Sequence, residues 1–584
     1  MTTPKNLINS FDDAVSETLS GLSYTYPQLE HHVSHRVVLS PDHRDRRDKV
    51  ALICGGGSGH EPFAAGFVGG GMLTASIAGS IFAAPPSIHI TYALRCLAEN
   101  SKAGILVIVP NYTGDCLNFG IAIEKTRQTG VTVEEVIVDD DCSIPENERS
   151  VAGKRGLVGM LFVIKIAGAL AEKGLPLCQV AEIARHVSQS IATYGIGLSA
   201  CAIPGQGLMF ELAQDEIECG MGVHGEAGYE RIKLGTASEL VTLMLKRICD
   251  ALSLSINDSV AVIVNNFGAL SQLEQGIVVH EVVKQLHNMG IQPVRIYSGS
   301  LMTSLNSVGI HISVLKLNES YGDVFVECLD EKTSAPCWPG CAYSVPSRFS
   351  TSIPSKDTEK EKVNKIGISL NVPDQQLIKS CLKNACAAII EKEAYLNGLD
   401  RGCGDGDCGS TLKRFADGIL SNLDNLSLSH PAALLTEIAN IAEEHMGGTS
   451  GALYCLFFTT GAKVLASFEQ EEDIRRIWCY TFRSGLNCLE KYGKAKAGSR
   501  TMIDTMHGAC MTYEKLLKEY SSDFYDKIAA AAWEGCYSTK NMKPKAGRAS
   551  YIKQAQYLTD VDAGAYAAAI WIAAIVQTIA HFEE

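Results

Sequence analysis

Three aspartates stand within eight residues in Asp400-Arg401-Gly402-Cys403-Gly404-Asp405-Gly406-Asp407-Cys408-Gly409, set among four glycines. Carboxylates this close repel one another. A hard cation such as Mg²⁺ relieves the repulsion, taking oxygen ligands from side chains and from phosphate groups. Asp400, Asp405 and Asp407 are therefore candidate metal ligands beside a phosphate. A solvated acidic turn has the same spacing, because Asp-Gly pairs are ordinary turn signals.

The first half of the chain carries three further groups. Cys54-Gly55-Gly56-Gly57-Ser58-Gly59-His60-Glu61-Pro62 joins backbone that can approach a ligand closely to one imidazole, His60, able to give or take a proton. Asn111-Tyr112-Thr113-Gly114-Asp115 offers a carboxylate that can accept a proton or orient a hydroxyl. Gly222-Val223-His224-Gly225-Glu226-Ala227-Gly228 sets His224 between glycines, which leaves its ring exposed. An imidazole nitrogen there can add to a small ketone or aldehyde. Each group has a plain alternative: both loops also read as turns, and a lone histidine is more often structural. The glycine run has no Lys after its last glycine and does not complete Gly-x-Gly-x-x-Gly, so neither a P-loop nor a Rossmann site is expected in this half.

In the second half, Gly447-Gly448 precedes Thr449-Ser450, which offers a cap for the next helix. Free backbone N–H groups and the helix dipole would seat an anion there, although a helix-to-helix turn reads the same way. Gly498-Ser499-Arg500-Thr501-Met502-Ile503-Asp504 and Lys543-Pro544-Lys545-Ala546-Gly547-Arg548-Ala549-Ser550 place cations in loops, where they would suit a nucleotide or simply face solvent.

Two kinds of scaffold must hold these groups. Short apolar runs at Val50 to Cys54, Ile105 to Val109, Val131 to Val138, Val260 to Val264 and Val294 to Tyr297 predict buried parallel strands. Ile277, Val278, Val282 and Leu286 recur at helical spacing between the last two, the rhythm of an α/β unit. Ligand sites in such sheets lie beyond the strand C-termini, where the His60 and Asp115 loops stand. From Ser344 the chain turns rich in Ser, Pro and charge, a domain linker, and Asp374 after Pro373 reads as the cap of a new helix. Helical spacing follows at Leu377, Cys381, Leu382, Ala385 and Ile389, at Leu412, Phe415, Ile419 and Leu423, and at Leu434, Ile438, Ile441 and Met446. The expected organisation is a multidomain chain: an α/β domain of two lobes at 1–340, a linker at 341–371 and an all-α domain at 372–584.

Length and composition agree. The 584 residues exceed one ordinary core, and 46% hydrophobic with 20% charged residues is typical of a folded soluble protein. The net charge of -14 argues against nucleic acid as a partner. Twenty cysteines lie scattered, and Cys328, Cys337 and Cys341 lack paired Cys-x-x-Cys spacing, so reduced thiols are expected rather than a zinc site. The polar opening at Met1, followed by Asp12 and Asp13, is unlike a secretory signal, and the apolar segment Ala565 to Val576 is too short to span a bilayer. The expected location is cytoplasmic, with no membrane partner.

Taken together and in this order, the His60, Asp115 and His224 motifs, the acidic loop, Met-Gly-Gly-Thr-Ser-Gly and Gly-Arg548-Ala-Ser-Tyr resemble the single-chain, ATP-dependent dihydroxyacetone kinase family. The match runs nearly end to end and is nearest the animal triokinase/FMN cyclase type. The resemblance implies an N-terminal substrate domain and a C-terminal barrel of antiparallel helices that binds ATP. It implies phosphorylation of dihydroxyacetone and glyceraldehyde, with the triose held as a hemiaminal on His224. His60 and Asp115 would handle the proton of the attacking hydroxyl, and Gly57, Ser58 and Gly59 would line the pocket. Asp400, Asp405 and Asp407 would hold Mg²⁺ on the ATP phosphates. Gly406, Cys408, Thr449, Ser450, Gly493, Thr501, Met502, Arg548, Asp562, Ala563 and Gly564 would surround the nucleotide. Family members work as homodimers in which one chain's nucleotide domain faces the other's substrate domain. The animal type also implies splitting of FAD into AMP and cyclic FMN at the nucleotide site, with Mn²⁺ as a possible metal.

One position departs from the family. Relatives commonly carry Lys immediately before Asn-Tyr-Thr-Gly-Asp, where it contacts substrate, and this chain has Pro110. The missing charge-assisted hydrogen bond is worth roughly 1.5 to 3 kcal/mol if nothing replaces it. A weakened kinase, or a regulatory homologue that binds without catalysis, is the alternative that Pro110 raises.

Overall fold

The computed structural model describes residues 5–145, 153–317, 320–341, 345, 365–401, 403–468, 473–519, 523–546, 548–551 and 558–583. Contacts divide the chain into two compact units, Met1–Thr351 and Ser352–Glu584. Most of the expected linker at 341–371 lies outside the described residues.

The first unit contains two six-stranded sheets. One is built from β1 (Glu30–His32), β2 (Val37–Leu39), β3 (Ala51–Ser58), β4 (Ala75–Ile81), β5 (Ile105–Pro110) and β6 (Val133–Val138), in the order β1-β2-β4-β3-β5-β6. Strands β4, β3, β5 and β6 are parallel, whereas β1 and β2 are antiparallel additions at one edge. The next strands along the chain are β7 (Ile191–Gly197), the two-residue pair β8 (Ala202–Ile203) and β9 (Gly207–Leu208), then β10 (Glu216–Cys219), β11 (Glu230–Lys233), β12 (Ser259–Asn266), β13 (Gln292–Gly299) and β14 (Gly309–Leu317). All but β8 and β9 form the second large sheet, ordered β11-β10-β7-β14-β12-β13.

The expected parallel pair β12 and β13 is present, joined by a crossover helix. Every other pairing in that sheet is antiparallel and involves β7, β10, β11 or β14, none of which is among the five predicted runs. Strand β14 is buried from Gly309 to Leu315 although His311 and Ser313 interrupt its apolar residues, so burial on both faces does not report strand polarity. The helices of this unit are α1 (Ala14–Thr25), α2 (Ser87–Ala98), α3 (Thr113–Arg127), α4 (Met160–Glu172), α5 (Leu177–Gln189), α6 (Ala237–Leu252), α7 (Gln272–Asn288) and α8 (Gly322–Asp330). Met160 to Ala171 of α4 are all buried, so this helix forms part of the core rather than a surface layer.

The second unit consists of helices, nine among the described residues: α9 (Val372–Glu391), α10 (Glu393–Asp400), α11 (Cys408–Asn422), α12 (Pro431–His445), α13 (Gly448–Ala466), α14 (Ile474–Gly493), α15 (Met502–Leu516), α16 (Phe524–Ser538) and α17 (Ala563–Glu583). Helix α9 packs on α11, α11 on α12, and so on through α16 and α17, and α17 returns to α9, so the helices close into a ring. Apolar inner faces that include Leu377, Phe415, Trp478 and Trp571 line a cavity of about 410 Å³ inside it.

Three local expectations change. Asn371, not Asp374, caps α9: its side-chain oxygen accepts the Asp374 N–H at 2.9 Å, which puts Pro373 in the first turn, where its missing N–H costs nothing. Gly447, with φ of 63°, precedes α13 as its cap residue, so Thr449 and Ser450 belong to the first turn instead of capping it. The apolar C-terminal segment extends to the 21 residues of α17, long and apolar enough to cross a membrane by length and composition. It packs against α9, α15 and α16, with its alanines at 565, 567, 568 and 569 fully buried.

Candidate active site

The glycine motif does not form a loop after its strand, as expected, but belongs to it: β3 runs on through Ser58. A Cβ at Gly57 would stand 2.9 Å from the Ala83 backbone nitrogen, so the bare glycine edge is what lets the strand continue against the chain after β4. A Cβ at Gly56 would sit 3.7 Å from Asp115 Oδ1 and 3.8 Å from Pro110 Cγ, so the missing side chain leaves a floor that faces the carboxylate. Gly59 has φ of 97°, in the left-handed region that suits glycine, and turns the chain so that His60 enters the interior.

His60 is 3% exposed, and its Nδ1 lies 2.9 Å from the carbonyl of Thr303. A carbonyl only accepts, so Nδ1 carries the proton and Nε2 presents a lone pair. That Nε2 is buried with no hydrogen-bond partner. Burial, helped by the nearby His224, lowers the His60 pKa to about 3, which holds the ring neutral.

His224 is half-buried, not exposed as its flanking glycines suggested. Its ring stands edge-on to His60 at 4.8 Å, to Tyr112 at 4.5 Å and to Phe82 at 5.6 Å. Burial first, and the Arg155 charge second, lower its pKa to about 4, so its imidazole also stays neutral. The loop around it is fixed by Glu226, which accepts the His224 backbone N–H at 2.9 Å and the Arg155 Nη1–H at 2.9 Å. Arg155 further donates to Asp141 at 2.7 Å and to the Gly220 carbonyl at 2.6 Å.

Asp115 lies in the first turn of α3, 4% exposed, with Oδ1 buried and unpartnered. Burial raises its carboxyl to about 7, a value suited to accepting a proton near neutrality. Tyr112, the residue before α3, keeps its hydroxyl buried and unpartnered as well. The first unit thus gathers a neutral imidazole, a lone-pair nitrogen, a raised carboxyl and a phenol around the end of β3.

The acidic group in the second unit is built differently. Asp400 is the last residue of α10 rather than part of the loop, and its Oδ2 accepts the N–H groups of Gly406 at 2.9 Å and Asp407 at 3.2 Å. Gly406 has φ of 76°, so the turn that brings these N–H groups back needs a glycine. One carboxylate oxygen from each of Asp400, Asp405 and Asp407 lies within 4.8 Å of the others, with Asp405 and Asp407 exposed. Three hard oxygen donors converging at a water-accessible point match the ligand chemistry of Mg²⁺. Burial pushes the neighbouring Cys408 thiol up to about 12, which keeps it protonated.

Helix N-termini surround this loop. Thr501 caps α15 through the Ile503 N–H at 3.2 Å, and Asp504 returns the bond to the Thr501 N–H at 2.8 Å. Asp562 caps α17 through the Ala565 N–H at 2.9 Å; burial raises its carboxyl to about 6, and the Asp504 and Asp400 charges add to this. The starts of α15 and α17 lie side by side, since a Cβ at Gly564 would be in ordinary contact with Met502 Cβ at 3.7 Å. Thr449, Ser450 and Gly493 form a separate group at the start of α13, where a Gly493 Cβ would touch Leu453 at 3.4 Å. Helix α11 links that group to the acidic loop: Thr411 donates to Asp407 at 3.3 Å, and Arg414 donates to Thr411 at 2.9 Å and to the His445 carbonyl at 3.4 Å. The Arg548 side chain lies outside the described residues, while its segment is tied to the α15 approach by Lys545 N–H to the Ser499 carbonyl at 3.1 Å.

Sequence reasoning missed Arg155, because Gly153-Lys154-Arg155-Gly156 carries no chemical signature, and it missed Thr303, which sets the His60 tautomer from 243 residues away. Arg500, expected in a charged loop, is 1% exposed and reaches the Asp560 carbonyl at 2.8 Å. An αL conformation at Arg500, φ of 60°, turns its side chain inward, and no local pattern marks that.

Comparison with known proteins covers both units. The Dak1 domain matches residues 20–337 and the DAK2 domain residues 402–577. The chain is 39% identical over 584 residues to the triokinase/FMN cyclase of Mus musculus, covering 98% of this chain and 99% of that one. The native crystal structure of the dihydroxyacetone kinase of C. freundii superposes with a TM-score of 0.66 at 31% identity, covering 99% of this chain and 100% of that one. The same enzyme in complex with AMP-PNP and Mg²⁺ matches at a TM-score of 0.63 and 30% identity, with 99% and 100% covered.

Proposed function

Because the chain belongs to the dihydroxyacetone kinase/triokinase family, we propose that it transfers the γ-phosphoryl group of ATP to dihydroxyacetone and glyceraldehyde, with the triose held as a hemiaminal on His224. The observation that carries this reading is the neutral His224 ring, enclosed by His60, Tyr112 and Phe82 in the unit that also holds Asp115. An unprotonated imidazole is a nucleophile towards a carbonyl carbon, and a substrate without a carbonyl, such as glycerol, is not captured. Asp115 and the His60 Nε2 lone pair are the groups able to accept the proton of the hydroxyl that attacks phosphorus. Gly57, Ser58 and Gly59 line the floor beside them.

On the nucleotide side, Asp400, Asp405 and Asp407 would hold Mg²⁺, which when bound supplies neutralising charge to the triphosphate. The N-termini of α13, α15 and α17, carrying Thr449, Ser450, Thr501, Met502, Asp562, Ala563 and Gly564, present backbone N–H groups suited to phosphate oxygens. Gly406, Cys408, Gly493 and Arg548 complete the proposed nucleotide surroundings, and a cytoplasmic homodimer is the proposed working form. Incubation with Mg-ATP and each triose tests the reading. Phosphorylation of either is expected, and no turnover of either by folded protein would overturn it.

A second reading has its own support in the animal relatives, which are named for FMN cyclase as well as triokinase. Splitting of FAD into AMP and cyclic FMN would use the nucleotide side alone, with Mg²⁺ or Mn²⁺. His224→Ala is expected to abolish triose phosphorylation and spare FAD splitting; loss of both in a folded variant would refute the separation.

A further inference from the structure

We propose that the Tyr112 hydroxyl is the hydrogen donor for the substrate oxygen when a triose carbonyl adds to His224, a role that rests on the hemiaminal reading above. Three facts about the pocket lead there. The phenol oxygen is buried and has no partner, an arrangement that costs stability unless a ligand supplies the missing bond. The Tyr112 ring lies edge-on to the His224 ring at 4.5 Å, nearer than any other ring recorded around it. The oxygen of a carbon bonded to the imidazole must lie beside that ring, within reach of its immediate neighbours.

The donor inventory then selects among those neighbours. His60 has committed its Nδ1–H to the Thr303 carbonyl, so the nitrogen facing the pocket accepts and cannot donate. Phe82 has no polar atom. Asp115 ionises near neutrality, so it presents a hydrogen only part of the time. Burial, reinforced by the Glu226 charge, holds the Tyr112 phenol far above its ordinary range, which keeps its hydrogen in place at every working pH. The position is fixed by the backbone: the Tyr112 N–H bonds back to the Pro110 carbonyl at 2.7 Å in the turn between β5 and α3.

The step balances within the chain and its solvent. A lone pair of neutral His224 forms the C–N bond, and the C=O π pair moves to oxygen. That oxygen accepts the Tyr112 hydrogen bond, and the proton released by the second imidazole nitrogen reaches it through water, so the phenol keeps its own hydrogen. The product is a neutral hemiaminal with both side chains as they began, apart from the new bond.

Tyr112→Phe keeps the ring and removes the donor. With dihydroxyacetone labelled with ¹³C at its carbonyl, the wild-type chain is expected to show an adduct resonance, and Tyr112→Phe to hold the adduct about tenfold to hundredfold more weakly. Apparent KM for the triose should rise by a similar factor, while AMP-PNP binding stays at its wild-type value and the unfolding midpoint of the ligand-free chain holds or rises. A merely structural role would lower the midpoint instead. Retention of the wild-type adduct constant by Tyr112→Phe overturns the proposal and leaves the hemiaminal intact. Absence of an adduct from the wild type overturns both, and His224→Ala supplies the zero of the scale. Should Tyr112→Phe fail to fold, 3-fluorotyrosine at position 112 keeps size and hydrogen while making the phenol more acidic. Its adduct must then differ in stability from the wild type for the proposal to stand.

Discussion

The two candidate half-sites handle charge in opposite ways. Around His224 the first unit buries its candidate catalytic groups and shifts them towards their neutral forms: both imidazoles fall to about 3 and 4, and Asp115 rises to about 7. Around Asp400 the second unit leaves two of its three carboxylates exposed and lines the surroundings with helix N-termini. The difference follows from the chemistry each would serve. Carbonyl capture needs an unprotonated nucleophile, which desolvation provides. Phosphoryl transfer needs dense charge that a cation can reach, which burial would prevent.

Substitutions on the two sides should separate accordingly. Asp115→Asn removes the proposed proton acceptor and should lower kcat for triose phosphorylation by about 10² to 10⁴ while leaving FAD splitting untouched. Equal loss of both activities would break the division between the sides. Asp407→Asn, on the nucleotide side, should lower both activities together by about 10² to 10³, and excess Mg²⁺ should recover part of the loss. Next comes pH: kcat/KM for the triose should fall about tenfold per unit below pH 7, because the Asp115 carboxyl, raised to about 7, must be ionised to accept a proton. The profile should be level above that, and the limb below pH 7 should vanish in Asp115→Asn. The smallest expected change sharpens the comparison from within the first unit. Pro110→Lys restores a cation beside Asp115 and should lower KM for dihydroxyacetone roughly tenfold to hundredfold, read against an unchanged KM for ATP. An unchanged triose KM would mean that Pro110 is already compensated.

What the sequence made legible tracks how local each feature is. The acidic loop, the His60 and His224 motifs and the helical second half all express themselves within a dozen residues, and glycine spacing or apolar periodicity exposes them. The antiparallel placement of β14 between β7 and β12 does not, since strand order is set by pairing between distant segments. Charge cues misled in both directions. Arg500 is charged yet buried because its backbone turns it inward, and His224 sits between glycines yet is enclosed by rings from Tyr112, Phe82 and His60. Arg155 escaped notice because its partners, Asp141, Glu226 and the Gly220 carbonyl, come from separate segments. Asn371 was overlooked beside Asp374 because both are good cap residues, and only the observed hydrogen bond separates them.

The seam between His60 and Thr303 has a consequence for timing. Besides the imidazole bond, Thr303 N–H meets the His60 carbonyl at 3.1 Å, Leu305 N–H meets the Gly59 carbonyl at 2.9 Å, and Thr303 Oγ1 donates to the Glu61 carbonyl at 2.9 Å. These bonds stitch the end of β3 to the chain that follows β13, so the sheets cannot part without breaking them as a group. Their amide hydrogens therefore form a clock for the pocket. If they exchange with deuterium at the rate of global unfolding even during turnover, trioses come and go past side chains while the seam stays shut.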